Sequence, residues 1–287
     1  MTTKIIKVAG SRQLSYCEYG DINGTPILFF HGFPGSRLEA IHMHKPATKL
    51  GCRLISIDRP GMGLSDFKQG ATIVSWADDI MHFTDKLGIK DFSIIAHSGG
   101  TPFAAACAYH LNHRVNHIAL VSGIAPPTHP HYTLGMKKEH LIANTLIKYA
   151  PWLTGIMMKM TQNLLDKPEK LNQQLLSRLC QVDYEIFMND ETKEQIINAT
   201  KEAFKQGIKG PAHEMKLLFK PWGFELNNIH CPASIWHGKL DNQAPISHAQ
   251  IYKSLIPDAQ LMLIDNQGHH SLIRNHIEDI IQVAINR

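Results

Sequence analysis

Eight short runs of this chain have the length and apolar character of buried strands, and none of them falls between about Pro126 and Asn228. Ile5–Val8 and Leu14–Tyr19 read as strands with a turn at Ala9–Ser11, and Asn23-Gly24 in the segment Asp21–Thr25 is a strong hairpin or turn signal. Pro26–His31, Arg53–Ile57, Phe92–Ala96 and His117–Val121 follow, separated by helix-like windows at Arg37–Lys49, Ser75–Leu87 and Thr101–Leu111. The end of the chain repeats the grammar, with strands at Ala233–His237 and Gln260–Ile264 and helices at Ser247–Ile256 and Ser271–Asn286. Continuously apolar strands alternating with helices imply a mostly parallel sheet covered on both faces. The expected fold is α/β, with residues 1–125 and 229–287 forming a core and 126–228 an all-helical insertion. Ligands of such sheets bind outside the carboxyl ends of the strands, so an insertion there lands over the site as a lid.

Composition narrows the function classes. A 44% hydrophobic content excludes intrinsic disorder, and five cysteines in 287 residues exclude a disulfide-stapled scaffold. Cys17, Cys52, Cys107, Cys180 and Cys231 are odd in number, widely spaced and form no C-x-x-C, which points to a reducing compartment. The first twenty residues hold no apolar run of signal-peptide length, and no stretch of about 20 apolar residues occurs. The cytoplasm is the expected location. A net charge of +4 is too dilute to argue for nucleic acid or an anionic membrane as partner. The 18 histidines should let the charge climb in mild acid. Pairs such as His110/His113 and His129/His131 lack H-E-x-x-H or acidic ligand spacing, and no phosphate-loop or dinucleotide fingerprint appears. No metal and no cofactor are expected. The expected partner is a small-molecule substrate, and the chain would act as a monomer or homodimer.

The chemistry concentrates at Ala96-His97-Ser98-Gly99-Gly100, between a strand and a helix. A sharp strand-to-helix turn needs small residues two before and two after its centre, which Ala96 and Gly100 supply. It exposes the central side chain in front of backbone N–H groups at the helix start. The competing reading is a glycine-rich turn with a serine N-cap.

This segment resembles the nucleophile elbow of the α/β-hydrolase superfamily, with Ala in place of the first Gly of G-x-S-x-G. The resemblance extends over several ordered motifs: HGFPGS at His31–Ser36, DRPGMGLSD at Asp58–Asp66, AHSGG at 96–100, HGKLDNQAP at His237–Pro245 and GHH at Gly268–His270. Together they span nearly the whole chain outside the insertion and identify it as similar to the cap-bearing members. The resemblance implies an eight-stranded, mostly parallel sheet under a helical cap.

It also implies roles. Ser98 would be the nucleophile, His269 its base because the superfamily's histidine directly follows this glycine, and Asp241 the acid that orients it; His270 and Asp265 are the rivals. The Phe33 and Gly99 backbone N–H groups would form the oxyanion hole. Asp58 and Arg59 in DRPGMGLSD are read as bracing the site. His97 is read as packed and hydrogen-bonded or as a second base. His31, His97, Trp152, Phe187 and Trp222 are the candidate pocket residues. Met136, Met157, Met158, Met160, Met188 and Met215 either plug a helical core or form a pliable wall over a ligand.

A serine at the elbow predicts acyl transfer, where relatives that open epoxides carry aspartate. The reading is a carboxylesterase acting on a small apolar ester. Carbon–carbon hydrolases and prolyl aminopeptidases of this fold also use serine, although the latter usually carry a G-G-S-W-G elbow that AHSGG does not match. A non-enzymatic small-ligand binding or regulatory protein is the alternative from another class.

Overall fold

A computed structural model of the protein describes residues 2–177 and 179–286. Eight strands form one sheet: β1 (Lys4–Lys7), β2 (Gln13–Gly20), β3 (Thr25–Phe30), β4 (Cys52–Ile57), β5 (Phe92–His97), β6 (Val115–Val121), β7 (Ala233–Gly238) and β8 (Gln260–Ile264), in the order β1-β2-β4-β3-β5-β6-β7-β8. β2 runs antiparallel to β1 and β4, and every other pair is parallel. The Asn23-Gly24 turn closes on Asp21, whose side chain accepts from the Asn23 N–H at 2.9 Å. It does not make a hairpin, because β4 intervenes between the strands it joins.

Alternation along the strands divides the core in two. Leu28, Phe30, Ile94, Ala96, Ile118 and Leu120 face one layer of side chains, and Ile27, Phe29, Ile95, Ala119 and Val121 the other. The first layer is completed by α2 (Ser75–Lys86), α3 (Thr101–His110) and α10 (Ile246–Leu255), the second by α1 (His44–Lys49) and α12 (Ile277–Ile285).

Two expected helices are broken. Arg37–Met43 is a 3-10 helix that passes into α1, because Pro46 has no N–H and fits only the first turn of an α-helix. His276 leaves helical geometry at φ −115°, ψ 17°, which separates α11 (Ser271–Asn275) from α12.

Between β6 and β7 come α4 (Lys138–Tyr149), α5 (Leu153–Leu165), α6 (Pro168–Leu176), α7 (Gln181–Phe187), α8 (Asp190–Ala203) and α9 (Lys209–Leu218), with no strand among the described residues. These helices have a small core of their own, including Ile147, Met158, Leu165, Leu171, Phe204 and Met215, into which Met62 reaches from below. Core packing resumes at Leu218, Trp222 and Leu226, which join the first layer. No helix among the described residues is long and apolar enough to cross a membrane.

Candidate active site

Ser98 sits at the end of β5 with φ +50°, a left-handed conformation that a serine adopts only where its surroundings hold it. The small neighbours are forced by space. A Cβ on Gly100 would lie 2.3 Å from the Phe30 carbonyl oxygen, and one on Gly99 would lie 2.6 Å from the Phe33 Cβ and 3.3 Å from the Phe33 nitrogen. The turn therefore presses the Phe33 and Gly99 backbones together beside the Ser98 side chain. Behind them α3 begins, and its orphan N–H groups favour negative charge at this end.

The Ser98 hydroxyl lies 2.9 Å from His269 Nε2, and His269 Nδ1 lies 2.8 Å from Asp241 Oδ2. The Nδ1–H donates to the carboxylate, which leaves the Nε2 lone pair toward the hydroxyl. Asp241 Oδ1 accepts from the Gln243 and Ala244 N–H groups at 2.8 and 2.9 Å, a local turn that the sequence Leu240–Ala244 folds onto itself. Burial works to raise the Asp241 pKa, but His269 and these donors outweigh it and hold the carboxyl far below its usual range. Burial likewise works to lower the His269 pKa. The Asp241 charge and hydrogen bond, aided by Asp183 and Glu39, outweigh it and leave the imidazole above its ordinary value.

A carboxylate from the insertion completes the geometry. Asp183 on α7, fully buried, accepts the His269, His270 and Ser271 N–H groups at 2.8, 3.1 and 2.8 Å. Behind the serine, Glu39 accepts from His97 Nδ1 at 2.8 Å and from the Gly32 N–H at 2.9 Å. His97 Nε2 faces the His269 carbonyl at 3.1 Å, so each nitrogen of the ring has an oxygen partner. Burial opposes the Glu39 charge, yet His97 prevails and brings the carboxyl down to about 2. Neither Glu39 nor Asp183 carries a sequence signal, because each reaches the site across a long stretch of chain.

Two cavities meet here. The smaller, about 100 Å³, touches Ser98, His269, His97, Gln195 and Arg274. The larger, about 730 Å³, is walled by Phe187, Ile196, Leu164 and Leu171 together with Met157, Met158, Met160 and Met215. Both touch Phe33, Ile196 and His270. Four of the six insertion methionines thus line a wall. Of the residues read as pocket-lining, His97 and Phe187 lie on the cavities and three lie elsewhere. His31 is buried beneath the loop, its Nδ1 donating to the Gly32 carbonyl and its Nε2 accepting from the Arg59 N–H. Trp152 is 66% exposed, and Trp222 stacks on Phe224 within the first core layer. These three are corrected: sequence gives an aromatic's existence, and only packing gives its direction.

The DRPGMG segment ties core to insertion. Asp58 holds the Arg37 guanidinium at 2.5 Å and the Ser15 hydroxyl at 2.6 Å. Arg59, fully buried, donates to the His31 and Gly32 carbonyls and forks onto both oxygens of Glu214 on α9 at 2.8 and 2.5 Å. Gly61 meets Gly210 backbone to backbone, closer than a Cβ on either would allow.

The sequence matches the alpha/beta hydrolase fold family over residues 25–275. It is 27% identical to the AB hydrolase superfamily protein YisY of Bacillus subtilis, over 86% of this chain and 85% of that one. It is 24% identical to a putative proline iminopeptidase of Mycoplasma genitalium, over 98% and 97% of the two chains. Its fold superposes on a thermophilic esterase from Thermogutta terrifontis with a TM-score of 0.73, at 21% identity and over 99% and 97% of the two chains.

Proposed function

As a member of the alpha/beta hydrolase fold family the chain is a hydrolase, and we propose that it cleaves a carboxylic ester through an acyl-enzyme on Ser98. The observation that carries this reading is the unbroken chain from Ser98 Oγ through His269 to Asp241, at 2.9 and 2.8 Å. His269 Nε2 takes the hydroxyl proton as Oγ adds to the ester carbonyl. Asp241 stabilises the resulting imidazolium and fixes its tautomer. The oxyanion forms against the Phe33 and Gly99 N–H groups, each donor lowering the barrier by about 3 kcal/mol. Collapse of this intermediate breaks the ester bond, and His269 returns the proton to the departing alcohol. A water then gives its proton to the same nitrogen, attacks the acyl-enzyme and releases the acid.

Amide cleavage is the second reading, raised by the relative named a putative proline iminopeptidase. A free amino terminus needs a carboxylate to receive it. Glu39 is the single carboxylate among the described residues lining either cavity, and His97 and Gly32 already occupy it. This favours the ester.

The test is hydrolysis of 4-nitrophenyl esters of increasing chain length by wild type, Ser98→Ala and His270→Ala. Turnover should fall by about 10⁴-fold or more in Ser98→Ala and persist in His270→Ala. Ester turnover that survives in Ser98→Ala, or is lost in His270→Ala with the fold intact, would overturn the assignment.

A further inference from the structure

The two cavities beside Ser98 differ in charge as well as size. Arg274, from α11, lines the smaller one and donates to the side-chain oxygen of Gln195 on α8 at 3.2 Å. No carboxylate among the described residues lies within ion-pair distance of it. Glu39, which lines the same cavity, is engaged by His97 and Gly32. Glu39 and, less strongly, Glu191 act on the guanidinium only at a distance, and burial prevails, holding Arg274 down to about 10. His42 lines the same cavity without adding charge. Its Nδ1–H donates to the Glu39 carbonyl, and burial followed by the Arg274 charge holds it down to about 3.

A half-buried guanidinium has five donors in a planar fork, and one bond to a neutral amide leaves most of that capacity unused. Such a fork matches a carboxylate, and partial burial strengthens the pairing. Building on the ester reading, we propose that the smaller cavity binds a carboxylate carried by the substrate, with Arg274 as its partner, while the apolar part of the substrate lies in the larger cavity. The substrate class is then an ester with an anionic carboxylate on one side of the scissile bond and an apolar group on the other. Arg274 acts here as a specificity-determining residue. Because it bonds to Gln195, it also ties that wall of the cavity to the insertion.

Matched pairs of esters test this. Mono-4-nitrophenyl adipate against 4-nitrophenyl hexanoate places the charge on the acyl side. 4-Acetoxybenzoate against its methyl ester places it on the alcohol side. Wild type should favour the charged member of one pair. In Arg274→Gln the charged-to-neutral ratio of kcat/KM should fall by about ten- to a hundredfold, and Arg274→Lys should restore part of it. A structural latch alone would lower both members of each pair together and leave the ratio unchanged, which would overturn the proposal. Calorimetric titration of adipate into Ser98→Ala, with and without Arg274→Gln, reads the subsite without any chemistry. An affinity that falls at least tenfold supports the subsite even if no ester is turned over, in which case the ester reading alone fails. Turnover of the neutral esters with no charge preference and no Arg274 dependence sinks the subsite and leaves the ester reading standing.

Discussion

β5 and β7 bury every one of their six residues, whereas α4 of the insertion buries Ile147 alone out of twelve. The contrast runs through both regions. Among the described residues, eight of the twelve large exposed apolar side chains belong to the insertion, including Ile142, Leu146, Tyr149, Trp152, Ile156 and Met160 on α4 and α5 and the loop between them. The core is held by apolar area, worth about 25 cal/mol per Å². Besides apolar contacts at Met62, Leu218 and Trp222, the insertion is fixed on the core by buried polar clamps: Arg59 to Glu214, Arg37 to Glu202, Ser36 to the Ala199 carbonyl, and Asp183 to the His269 loop. Non-directional area makes a region robust, while directional clamps fix where one region sits relative to another.

Acid should act on the core first. His31, His42, His117, His237, His248 and His270 all lie in it, and burial holds each below the ordinary histidine pKa, to about 4 for His117 and His248 and about 3 for His42 and His270. The expectation that the histidines simply add charge in mild acid therefore fails for these six. The unfolded chain takes up protons near pH 6.5 and the folded one does not, so the stability these residues allow is complete above that pH. It is lost as pH falls toward 4 and 3, by about 1 kcal/mol per pH unit for each histidine. His269, raised instead, contributes stability below the unfolded pKa that is lost as pH rises through its folded one, a single group opposing six. Calorimetric Tm should drop steeply from pH 7 to 5, and His117→Gln should remove one histidine's share of the slope. A Tm flat over that range would contradict the core's dependence on neutral imidazoles.

The two tryptophans read as pocket residues both belong to the insertion, but only Trp222 packs into the core layer, and they separate the two kinds of packing next. Trp222→Ala should cost about 3–5 kcal/mol, because the ring is 5% exposed and packs on Phe224 and Tyr252. Trp152→Ala, at a 66% exposed position, should change stability by less than about 0.5 kcal/mol. Urea unfolding measures both, and equal losses would erase the distinction.

The legible parts of the molecule are those set by local chemistry. Apolar runs and short turns predicted the eight strands to within two residues at each end, because strand burial is a property of consecutive residues. The small residues around Ser98 were readable because the turn admits nothing larger. Helix breaks were less so: Pro46 was in plain view, while His276 departs from helical geometry with no breaker residue. Least readable were the groups that reach the site from afar, Glu39, Asp183 and Arg274. Glu39 meets His97, Asp183 meets the His269 N–H and Arg274 meets Gln195 across 58 or more positions of chain, and no periodicity encodes which distant group a side chain will meet.

Asp183 tests whether the insertion is only a lid. Its carboxylate receives three consecutive backbone N–H groups from the loop that carries His269, and a Cβ on Gly268 would lie 2.6 Å from it. Removing it leaves three buried donors unpaired, at a cost of about 1–3 kcal/mol each before the loop shifts to recover water. Asp183→Ala should therefore lower kcat by about 10- to 100-fold with a smaller change in KM, since the base moves relative to Ser98. Asp183→Asn keeps an acceptor and removes the charge that raises the His269 pKa. The base works as the neutral imidazole, so the acid limb of the kcat/KM profile should move to lower pH in Asp183→Asn. A merely structural clamp would leave that limb in place. An unmoved limb with full kcat in folded Asp183→Asn would return the insertion to a passive cover, whereas a shifted limb would make α7 part of how the core's histidine is tuned.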